Sequence, residues 1–376
     1  MSEKLDAAVV GANLQTMEFD LPEWPLFGLD EDVRPALRRA LDAGKPAVLV
    51  TLYRVEGGGP RPPGTQMVFA EGLVAGFLSG GCVEGDVAIH AAETLADGEP
   101  RRLVYGEGGP WPDIQLLCGA RIEILVERVM PDDAAAARLL ALMDERRPAV
   151  WSTDGRERSV EAGSAAAHEL CLASEEPFLV ARLHEPKPRL AVVGADPTAL
   201  AIAALGVQAG FETTLIRPKG PIEPPPLAGV AYSRAEPAEA FAEVGIDPWT
   251  SIAVATHDWD TDQDALTAAL PSPAFYIGVL GAKRRLPERF ARLSAAGVTD
   301  AQLARLRAPI GLDLGGKAPW EVAVSVIGEI VAEKAAGYSR SSTSTSTKSP
   351  IAPAGAPIPR RMSAPDSAKT LTSEES

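Results

Sequence analysis

The alternation of strand and helix patterns from Arg189 onwards is the feature that most restricts the fold of this chain. Apolar strand patterns occur in RLAVV, TTLI, SIAVAT and FYIGVL. Helix patterns lie between and after them, over 198–209, around 236–243, over 261–270, near 286–296 and over 320–336. Because parallel neighbours need a crossover connection, which a helix usually supplies, this alternation is typical of a doubly wound parallel sheet. It predicts a Rossmann-type domain over 187–337.

The preceding part of the chain consists of shorter segments rich in β-branched and aromatic residues. Strands are predicted over 46–55, 66–80, 101–107 and 121–129, and helices over 82–95 and 132–145. A charged linker that contains Pro186 and Pro188 separates this part from the alternating part. We therefore predict an α+β domain over 28–186, preceded by an N-terminal extension over 1–27.

The last residues, 338–376, include SSTSTSTKSP and APAGAPIPRRMSAP and show no apolar periodicity. A Ser/Thr/Pro-rich segment of this kind has too little apolar surface to bury, so we predict a disordered tail. The whole chain is thus predicted to be an α/β protein with an N-terminal α+β domain, a Rossmann-type domain and a disordered C-terminal tail.

Charge and composition argue against several classes of protein. Acidic residues number 51 and basic residues 36, giving a net charge of −15, whereas a general nucleic-acid binder needs a basic surface. No run of about 18 uncharged apolar residues occurs and the start lacks a signal-peptide pattern, so we expect a cytoplasmic protein without membrane contact. The cysteines, Cys82, Cys118 and Cys171, form no CxxC pair, which argues against a disulfide framework and a zinc knuckle.

The segment RLAVVGADPTALA has the strand, turn and helix pattern of a dinucleotide-binding fingerprint, with Gly194 at the turn. Asp196 and Ala199 occupy the second and third glycine positions, so a negatively charged side chain obstructs the approach of a pyrophosphate. After the second strand, Arg217 stands where an NAD enzyme places an acidic residue, and it would tolerate or bind a phosphate. NAD(P) with its usual contacts is not expected, and a Rossmann-type scaffold without a dinucleotide remains an alternative.

A glycine- and proline-rich loop over 57–64, with the sequence GGGPRPPG, lies between the first two predicted strands. Gly58, Gly59 and Gly64 offer unhindered backbone amides, and Arg61 supplies a fork of donors suited to an oxyanion. The loop is therefore interpreted as a phosphate-binding loop. The alternative is a tight hairpin connection without a ligand.

Two cysteines lie beside glycines at the ends of predicted strands. Cys82 follows Ser79, Gly80 and Gly81 and is predicted to open a helix, whose N-terminus lowers the pKa of a thiol. Cys118 and Gly119 precede a strand. Cys82 and Cys118 are 36 positions apart in the chain, and they could meet in the fold and ligate a soft metal or carry sulfur. The alternative for each is a small buried apolar residue, which is the interpretation we favour for Cys171.

Thr256, His257 and Asp258 follow the strand SIAVA, at the end of a parallel strand where ligands bind. The alternative is that Thr256 and Asp258 cap the next helix. The glycine-dense segment PIGLDLGG over 309–316 is expected to close over a ligand at the edge of the sheet.

Taken together, these segments resemble the XdhC/CoxI-type xanthine dehydrogenase accessory proteins over about residues 28–336. The similarity is carried by GGGPRPPGTQMVF, GFLSGGCVEGDV, LLCGARIEILVE, THD, YIGVLGAKRR and PIGLDLGGKAPWEVAVSVIGEI. It implies a protein that binds and protects the molybdenum cofactor, supports its sulfuration with a cysteine desulfurase as the sulfur source, and delivers it to a molybdenum hydroxylase. It implies no turnover of a metabolite, and it implies a homodimer.

The resemblance also implies which residues bind the cofactor: Arg61, Cys82, Glu84, Cys118, Gly194, Thr256, His257 and Asp258. Three segments depart from the usual family pattern. This chain has Gly-Ala-Asp-Pro at 194–197 where Gly-Ala-Gly-His is usual, Arg217 in place of an aspartate, and Cys118-Gly119-Ala120 where Cys-Gly-Gly is common.

The cofactor itself requires two different kinds of contact. It joins a dithiolene–molybdenum head to a phosphate, or to a pyrophosphate and cytidine in the molybdopterin cytosine dinucleotide form. We assign Cys82 and Cys118 to the molybdenum, and the loop over 57–64 with Arg61 to the phosphate. Two other classes of function remain as alternatives: an NAD(P)-linked oxidoreductase, and a scaffold that binds only a partner protein.

Overall fold

The computed structural model describes residues 18–341, except 60, 108, 110–115, 117 and 165–169. The first part of the predicted N-terminal extension and the predicted tail after residue 341 lie outside these residues. The described chain forms an N-terminal α+β domain and a parallel-sheet domain, joined between His184 and Arg189.

The N-terminal domain is built around a five-stranded antiparallel sheet in the order β3-β2-β1-β5-β4. Its strands are β1 (Ala47–Glu56), β2 (Gln66–Ala70), β3 (Leu73–Gly76), β4 (Arg101–Tyr105) and β5 (Arg121–Val129). The described residues of this domain also form the α-helices α1 (Arg34–Asp42), α2 (Glu84–Asp97) and α3 (Ala134–Asp144). Apolar residues of α2 pack on one face of the sheet, and those of α1 and α3 pack on the other.

The prediction of a single strand over 66–80 is wrong, because this segment forms the hairpin β2–β3. The turn falls at Glu71 and Gly72, where Gly72 has a φ of +69°. A turn with positive φ at its second central residue favours glycine there, because glycine adopts that conformation without strain. The chain after β3 is a loop, so it brings Ser79 to Cys82 to the edge of the sheet.

A second, four-stranded antiparallel sheet follows α3 in the order β7-β6-β9-β8. Its strands are β6 (Ala149–Thr153), β7 (Arg158–Ala162), β8 (Cys171–Glu175) and β9 (Phe178–His184). Glu127 on β5 attaches this sheet to the first, since its buried carboxylate accepts hydrogen bonds from the Trp151 indole at 3.1 Å and the Thr153 hydroxyl at 2.8 Å. The sequence analysis did not predict this sheet.

The C-terminal domain has the predicted parallel sheet, with six strands in the order β12-β11-β10-β13-β14-β15. Its strands are β10 (Arg189–Gly194), β11 (Glu212–Ile216), β12 (Val230–Ser233), β13 (Thr250–Ala255), β14 (Tyr276–Val279) and β15 (Leu306–Arg307). Counted along the chain this order is 3-2-1-4-5-6, that of doubly wound nucleotide-binding sheets. The Rossmann-type prediction is therefore confirmed, although the short edge strands β12 and β15 were not predicted.

Helices cover both faces of this parallel sheet. They are α4 (Pro197–Gln208), α5 (Pro237–Val244), α6 (Trp259–Ala269), α7 (Leu286–Ala295), α8 (Asp300–Leu303) and α9 (Pro319–Ser341). The last helix continues beyond residue 337, where the sequence analysis placed the start of the tail. No helix in the described part of the chain is both long and apolar enough to cross a bilayer.

The two domains meet at the N-terminal ends of the parallel strands. Arg146, just after α3, contacts Asp247 at 2.8 Å and Glu212 at 3.3 Å, and it donates to the carbonyl of Lys187 at 2.9 Å. The C-terminal ends of the same strands lie about 17–20 Å further along, at about 3.3 Å per residue. The end of the sheet where doubly wound proteins bind ligands is therefore turned away from this junction.

Candidate functional site

Three loops leave the five-stranded sheet at the same edge. The end of β1 lies beside the start of β5, because Glu56 pairs with Arg121. The end of β4 also lies beside the start of β5, because Tyr105 pairs with Ile122. The β2–β3 hairpin places the end of β3 at this edge as well. The described residues of the loops over 57–65, 77–83 and 106–120 therefore emerge together. They include every residue of the N-terminal domain that the sequence analysis assigned to the cofactor, except Glu84, which follows directly after the second loop. We call these the edge loops.

The glycine loop and the turn that holds Cys118 contact one another. A Cβ atom at Gly57 would lie 3.4 Å from the carbonyl oxygen of Gly119 and 3.6 Å from the Cα of Ala120. Gly57 also has a φ of +79°, so a side chain there would be strained as well as close to the neighbouring loop. Cys118 and Gly119 are both exposed at this contact.

The glycines of the 57–65 loop have different roles. A Cβ at Gly59 would lie 2.3 Å from the Val55 side chain, so only glycine fits there. Gly64 has a φ of +93°, donates its amide to the carbonyl of Leu52 at 2.7 Å and accepts from the Arg182 guanidinium at 2.8 Å. Gly58 has open space where its Cβ would be. The loop does connect two antiparallel neighbours, as the hairpin alternative required.

Arg61 lies on this loop with its guanidinium partly engaged. Its Nη2 donates to the Glu31 carboxylate at 2.8 Å. Its Nε is buried and has no hydrogen-bond partner among the described residues. Buried donors are nearly always paired. A buried donor without a partner in the described chain is therefore available to an acceptor from a ligand.

Glu84 shapes the turn that carries Cys82. Its side chain is buried, and its carboxylate accepts from the amides of Leu78 at 3.0 Å and Ser79 at 2.6 Å and from the Ser79 hydroxyl at 2.7 Å. The Ser79 oxygen in turn accepts from the Cys82 amide at 3.1 Å. The oxygens of Glu84 are thus used within the loop, while Gly80, Gly81 and Cys82 are exposed on its outside.

Cys82 does not open helix α2, which begins at Glu84 with Val83 as the N-cap residue. In the first turn of that helix, Asp86 accepts a hydrogen bond from the Tyr105 hydroxyl at 2.6 Å. Burial raises the pKa of Tyr105, and the hydrogen bond to Asp86 adds to the shift. This contact attaches the start of α2 to the end of β4, so Cys82 lies at the same edge as Cys118.

All three cysteines are free thiols, but their environments differ. Cys82 and Cys118 are exposed on the edge loops. Cys171 on β8 is half-buried, and burial raises the pKa of its thiol to about 11. Its Cβ lies 3.2 Å from where a Cβ of Gly64 would be, so it packs beneath the glycine loop. Within the described ranges, no cluster of three or more His, Cys, Asp or Glu side chains could hold a metal ion.

The C-terminal domain has a cleft of about 440 Å³ between the ends of β10 and β13, where the strand order reverses. Gly194 lies at its base, and a Cβ there would meet the Ala255 carbonyl oxygen at 2.4 Å and the Ala199 Cβ at 2.6 Å. The cleft is lined by Gly194, Ala195, Asp196, Arg217, Pro218, Ala255, Thr256, His257, Asp258 and Thr261. It thus contains every residue of this domain that the sequence analysis assigned to the cofactor.

Asp196 occupies the start of α4, where a dinucleotide would place its pyrophosphate. One carboxylate oxygen accepts from the Ala199 amide at 2.9 Å, and the other lies 2.9 Å from Nε2 of the exposed His257. Asp258 is the N-cap of α6, and its hydrogen bonds from the Thr261 hydroxyl and amide lower the pKa of its carboxyl group. The capping alternative thus describes Asp258 correctly, while His257 lines the cleft and is held there by its contact with Asp196.

The candidate residues therefore form two groups, one on the edge loops and one in the cleft. No hydrogen bond joins the two groups in the part of the chain that the structure describes. A further set of side chains beside the cleft was missed: Trp259, Arg284, Arg285 and Arg289 line a neighbouring pocket of about 240 Å³. The segment YIGVLGAKRR ends in two of these arginines, and that basic run was the available signal.

Comparisons with known proteins agree with this fold. Residues 190–330 match the family model of the XdhC Rossmann domain, and residues 40–106 match that of the XdhC and CoxI family. The chain is 31% identical over 330 residues to the molybdenum cofactor insertion chaperone PaoD of Escherichia coli strain K12, covering 82% of this chain and 94% of that one.

Two further relatives extend the comparison. A probable xanthine dehydrogenase subunit of Bacillus subtilis strain 168 is 25% identical over 324 residues, covering 77% of this chain and 94% of its own length. A crystal structure described as a xanthine dehydrogenase from Bacillus halodurans superposes with a TM-score of 0.63 at 24% identity, over 84% of this chain and 97% of the other. This last likeness shows the fold.

Proposed function

This chain belongs to the XdhC and CoxI family, and we propose that it binds the molybdenum cofactor and inserts it into a molybdenum hydroxylase. The similarity to PaoD, a molybdenum cofactor insertion chaperone, supports this function. The observation that carries it is the edge-loop surface, where two exposed thiols, Cys82 and Cys118, lie at the same edge as Arg61 and the open backbone of Gly58.

The chemistry of these groups fits the two ends of the cofactor. Thiolates are soft ligands suited to the molybdenum head. Backbone amides and a guanidinium nitrogen that lacks an acceptor suit a phosphate. In this proposal Cys82 and Cys118 contact the molybdenum end, and Arg61 with the glycine loop holds the phosphate end.

A carrier must also release its cargo. A structural zinc site is closed by four protein ligands, whereas the edge loops offer two thiols. Glu84 contributes by holding the turn of Cys82 in shape through its bonds to Ser79. The proposed site is thus preorganised but incomplete, which favours transfer to an enzyme that supplies a fuller set of contacts.

The finer parts of the proposal concern the form of the cargo and the partners. We propose that the bound cofactor is protected from solvent, and that its terminal sulfur is added with a cysteine desulfurase as donor. The cargo is molybdopterin or its cytosine dinucleotide form, and the recipient is a xanthine dehydrogenase- or aldehyde oxidase-type hydroxylase. A homodimer belongs to the same proposal.

The test is to purify the full chain after co-expression with a molybdenum cofactor pathway. Molybdenum is measured by elemental analysis, and released nucleotides are identified by chromatography. We expect molybdenum to co-purify, and mixing the loaded protein with a cofactor-free hydroxylase should restore that enzyme's activity. Protein that carries no molybdenum and restores no activity, while still binding the hydroxylase, would identify a partner-binding scaffold instead.

A further inference from the structure

A second pocket adjoins the cleft of the C-terminal domain, between the ends of β13 and β14. It has a volume of about 240 Å³. Thr256 and His257 form one wall and are shared with the cleft, while Gly281, Arg284 and Arg289 belong to the other wall. We call it the arginine pocket. A group in the cleft could therefore extend into the arginine pocket past His257.

Arg289 lines the arginine pocket and is 5% exposed. Its Nη2 donates to the Asp262 carboxylate at 2.8 Å. Its Nε and Nη1 are buried and have no hydrogen-bond partner among the residues that the structure describes. Buried donors are almost always satisfied by protein, solvent or ligand, so these two nitrogens call for an acceptor that the chain does not supply.

Trp259 lines the arginine pocket and lies beside three arginine guanidinium groups. The guanidinium groups of Arg285, Arg289 and Arg292 lie 5.6, 5.3 and 4.8 Å from the centre of its ring. Stacking of this kind orients a guanidinium without using its N–H donors. The arginines therefore remain able to bind an anion while they are held in position.

The lining of the arginine pocket contains three arginines and one carboxylate, Asp262, in a chain whose net charge is −15. Asp262 pairs with Arg289 at 2.8 Å, and the nearby Glu288 pairs with Arg292 at 3.2 Å. Within the described residues, no acidic side chain pairs with Arg284 or Arg285, and both are exposed at the mouth of the arginine pocket.

We propose that the arginine pocket binds a phosphate-type anion, a phosphoryl or pyrophosphoryl group of the ligand that occupies the cleft. Guanidinium forks match the oxygens of phosphate. Gly281 favours access, because a side chain there would begin 3.5 Å from the Arg289 Nη2. The proposal goes beyond the function proposed above, since it assigns an anion site in the C-terminal domain that is independent of the thiols.

The position of Asp196 explains why the anion would bind here. In a dinucleotide-binding fingerprint the phosphates lie at the N-terminus of the first helix, which is α4 in this domain. That position is filled by the Asp196 carboxylate, which caps the helix at the Ala199 amide. The arginine pocket supplies, on the other side of His257, the positive charge that the start of α4 lacks.

The test measures binding of inorganic pyrophosphate and of orthophosphate to the full chain by isothermal titration calorimetry at low salt. The double variant Arg284→Gln/Arg285→Gln should weaken pyrophosphate binding by about tenfold or more, because each arginine supplies charge-assisted hydrogen bonds. Arg292→Gln is the matched control. Arg292 lies over the same Trp259 ring but does not line the pocket. Its replacement should therefore change the affinity for pyrophosphate by less than about twofold.

A second variant, Arg289→Met, tests the buried guanidinium, and its melting temperature shows whether the domain remains folded. The exposed Arg284 and Arg285 keep the test decisive if Arg289→Met does not fold. Tighter binding of pyrophosphate than of phosphate would indicate the phosphates of a dinucleotide, and equal binding would indicate a single phosphoryl group.

The proposal is overturned if the wild-type protein gives no binding heat with either anion, or if Arg292→Gln weakens binding as much as the double variant does. Molybdenum loading at the edge loops is measured separately. If the wild-type protein binds neither anion but carries molybdenum normally, this inference fails and the proposed carrier function stands.

Discussion

Nε2 of His257 lies 2.9 Å from a carboxylate oxygen of Asp196, across the point where the strand order of the parallel sheet reverses. The contact joins the turn after β13 to the start of α4. A dinucleotide would place its phosphates at this point. The protein thus retains the Rossmann scaffold and fills its usual phosphate position with an acid–imidazole pair.

Removing the charge of Asp196 should therefore favour anion binding in the cleft. Asp196→Asn keeps a side-chain oxygen that can cap α4, and we expect it to bind pyrophosphate about fivefold more tightly, or ~1 kcal/mol. Asp196→Ala should show the same gain but lose about 1 kcal/mol of folding stability with the cap. Calorimetry and urea unfolding measure the two effects, and an Asn variant that binds no better than wild type would contradict the prediction.

The exposed thiols should control how much cofactor the protein carries. We expect Cys82→Ser and Cys118→Ser each to lower co-purified molybdenum by about fivefold or more, because a hydroxyl is a much poorer ligand for a soft metal than a thiolate. Cys171→Ser is the control, since this thiol is half-buried beneath the glycine loop. Elemental analysis of the three variants decides the matter, and undiminished loading of both exposed-thiol variants would exclude the thiols as ligands.

Glu84 should affect loading through the shape of its turn. Glu84→Gln replaces a carboxylate oxygen that accepts from the Ser79 amide or hydroxyl with an amide donor, and we expect it to cost about 1–3 kcal/mol of stability. Molybdenum loading should fall even at temperatures where the variant is fully folded, because Cys82 is no longer held. Glu93→Gln, an exposed change on the same helix, serves as the control. Normal loading of folded Glu84→Gln protein would show that the turn does not need this support.

His184 should make the protein less stable in mild acid. It is fully buried, and burial, with further repulsion from Arg182 and Arg34, lowers its pKa well below 6.5. The unfolded chain therefore takes up a proton below pH 6.5 that the folded chain does not. As the pH falls below 6.5, the free energy of unfolding should therefore decrease, by up to about 1.4 kcal/mol per pH unit from this residue.

The contribution of His184 can be isolated by comparing variants. His184→Gln cannot titrate, so its free energy of unfolding should depend less steeply on pH between 6.5 and 5.5 than that of the wild type. Denaturant unfolding at several pH values measures both slopes. Equal slopes for the wild type and His184→Gln would refute the assignment.

The parallel sheet could be predicted from the sequence because its central strands are buried on both faces and read as continuous apolar runs. The second sheet could not, since β7 and β8 are short and mostly exposed and their polar side chains hide the strand pattern. The hairpin within 66–80 was missed because a single glycine turn interrupts an otherwise apolar run.

The candidate site was predictable to a similar degree. Glycine- and cysteine-bearing turns indicated the edge loops, because glycine leaves backbone amides unhindered and cysteine supplies a thiol. The role of Glu84 depends on hydrogen bonds to residues before it in the loop, which sequence spacing does not reveal. The arginine pocket depends on stacking around Trp259, which lies 25 or more positions from the arginines it holds.

The close approach of Gly57 to the carbonyl of Gly119 has a consequence for anyone who wishes to redesign the protein. The two segments are more than 60 positions apart in the chain, yet they are in contact, so a change in one alters the surroundings of the other. Any other residue at position 57 of a transplanted loop would be strained by the positive φ, and its side chain would start in contact with the turn of Cys118. Engineering a new cargo preference would therefore begin by keeping glycine at position 57 and exchanging the two segments together.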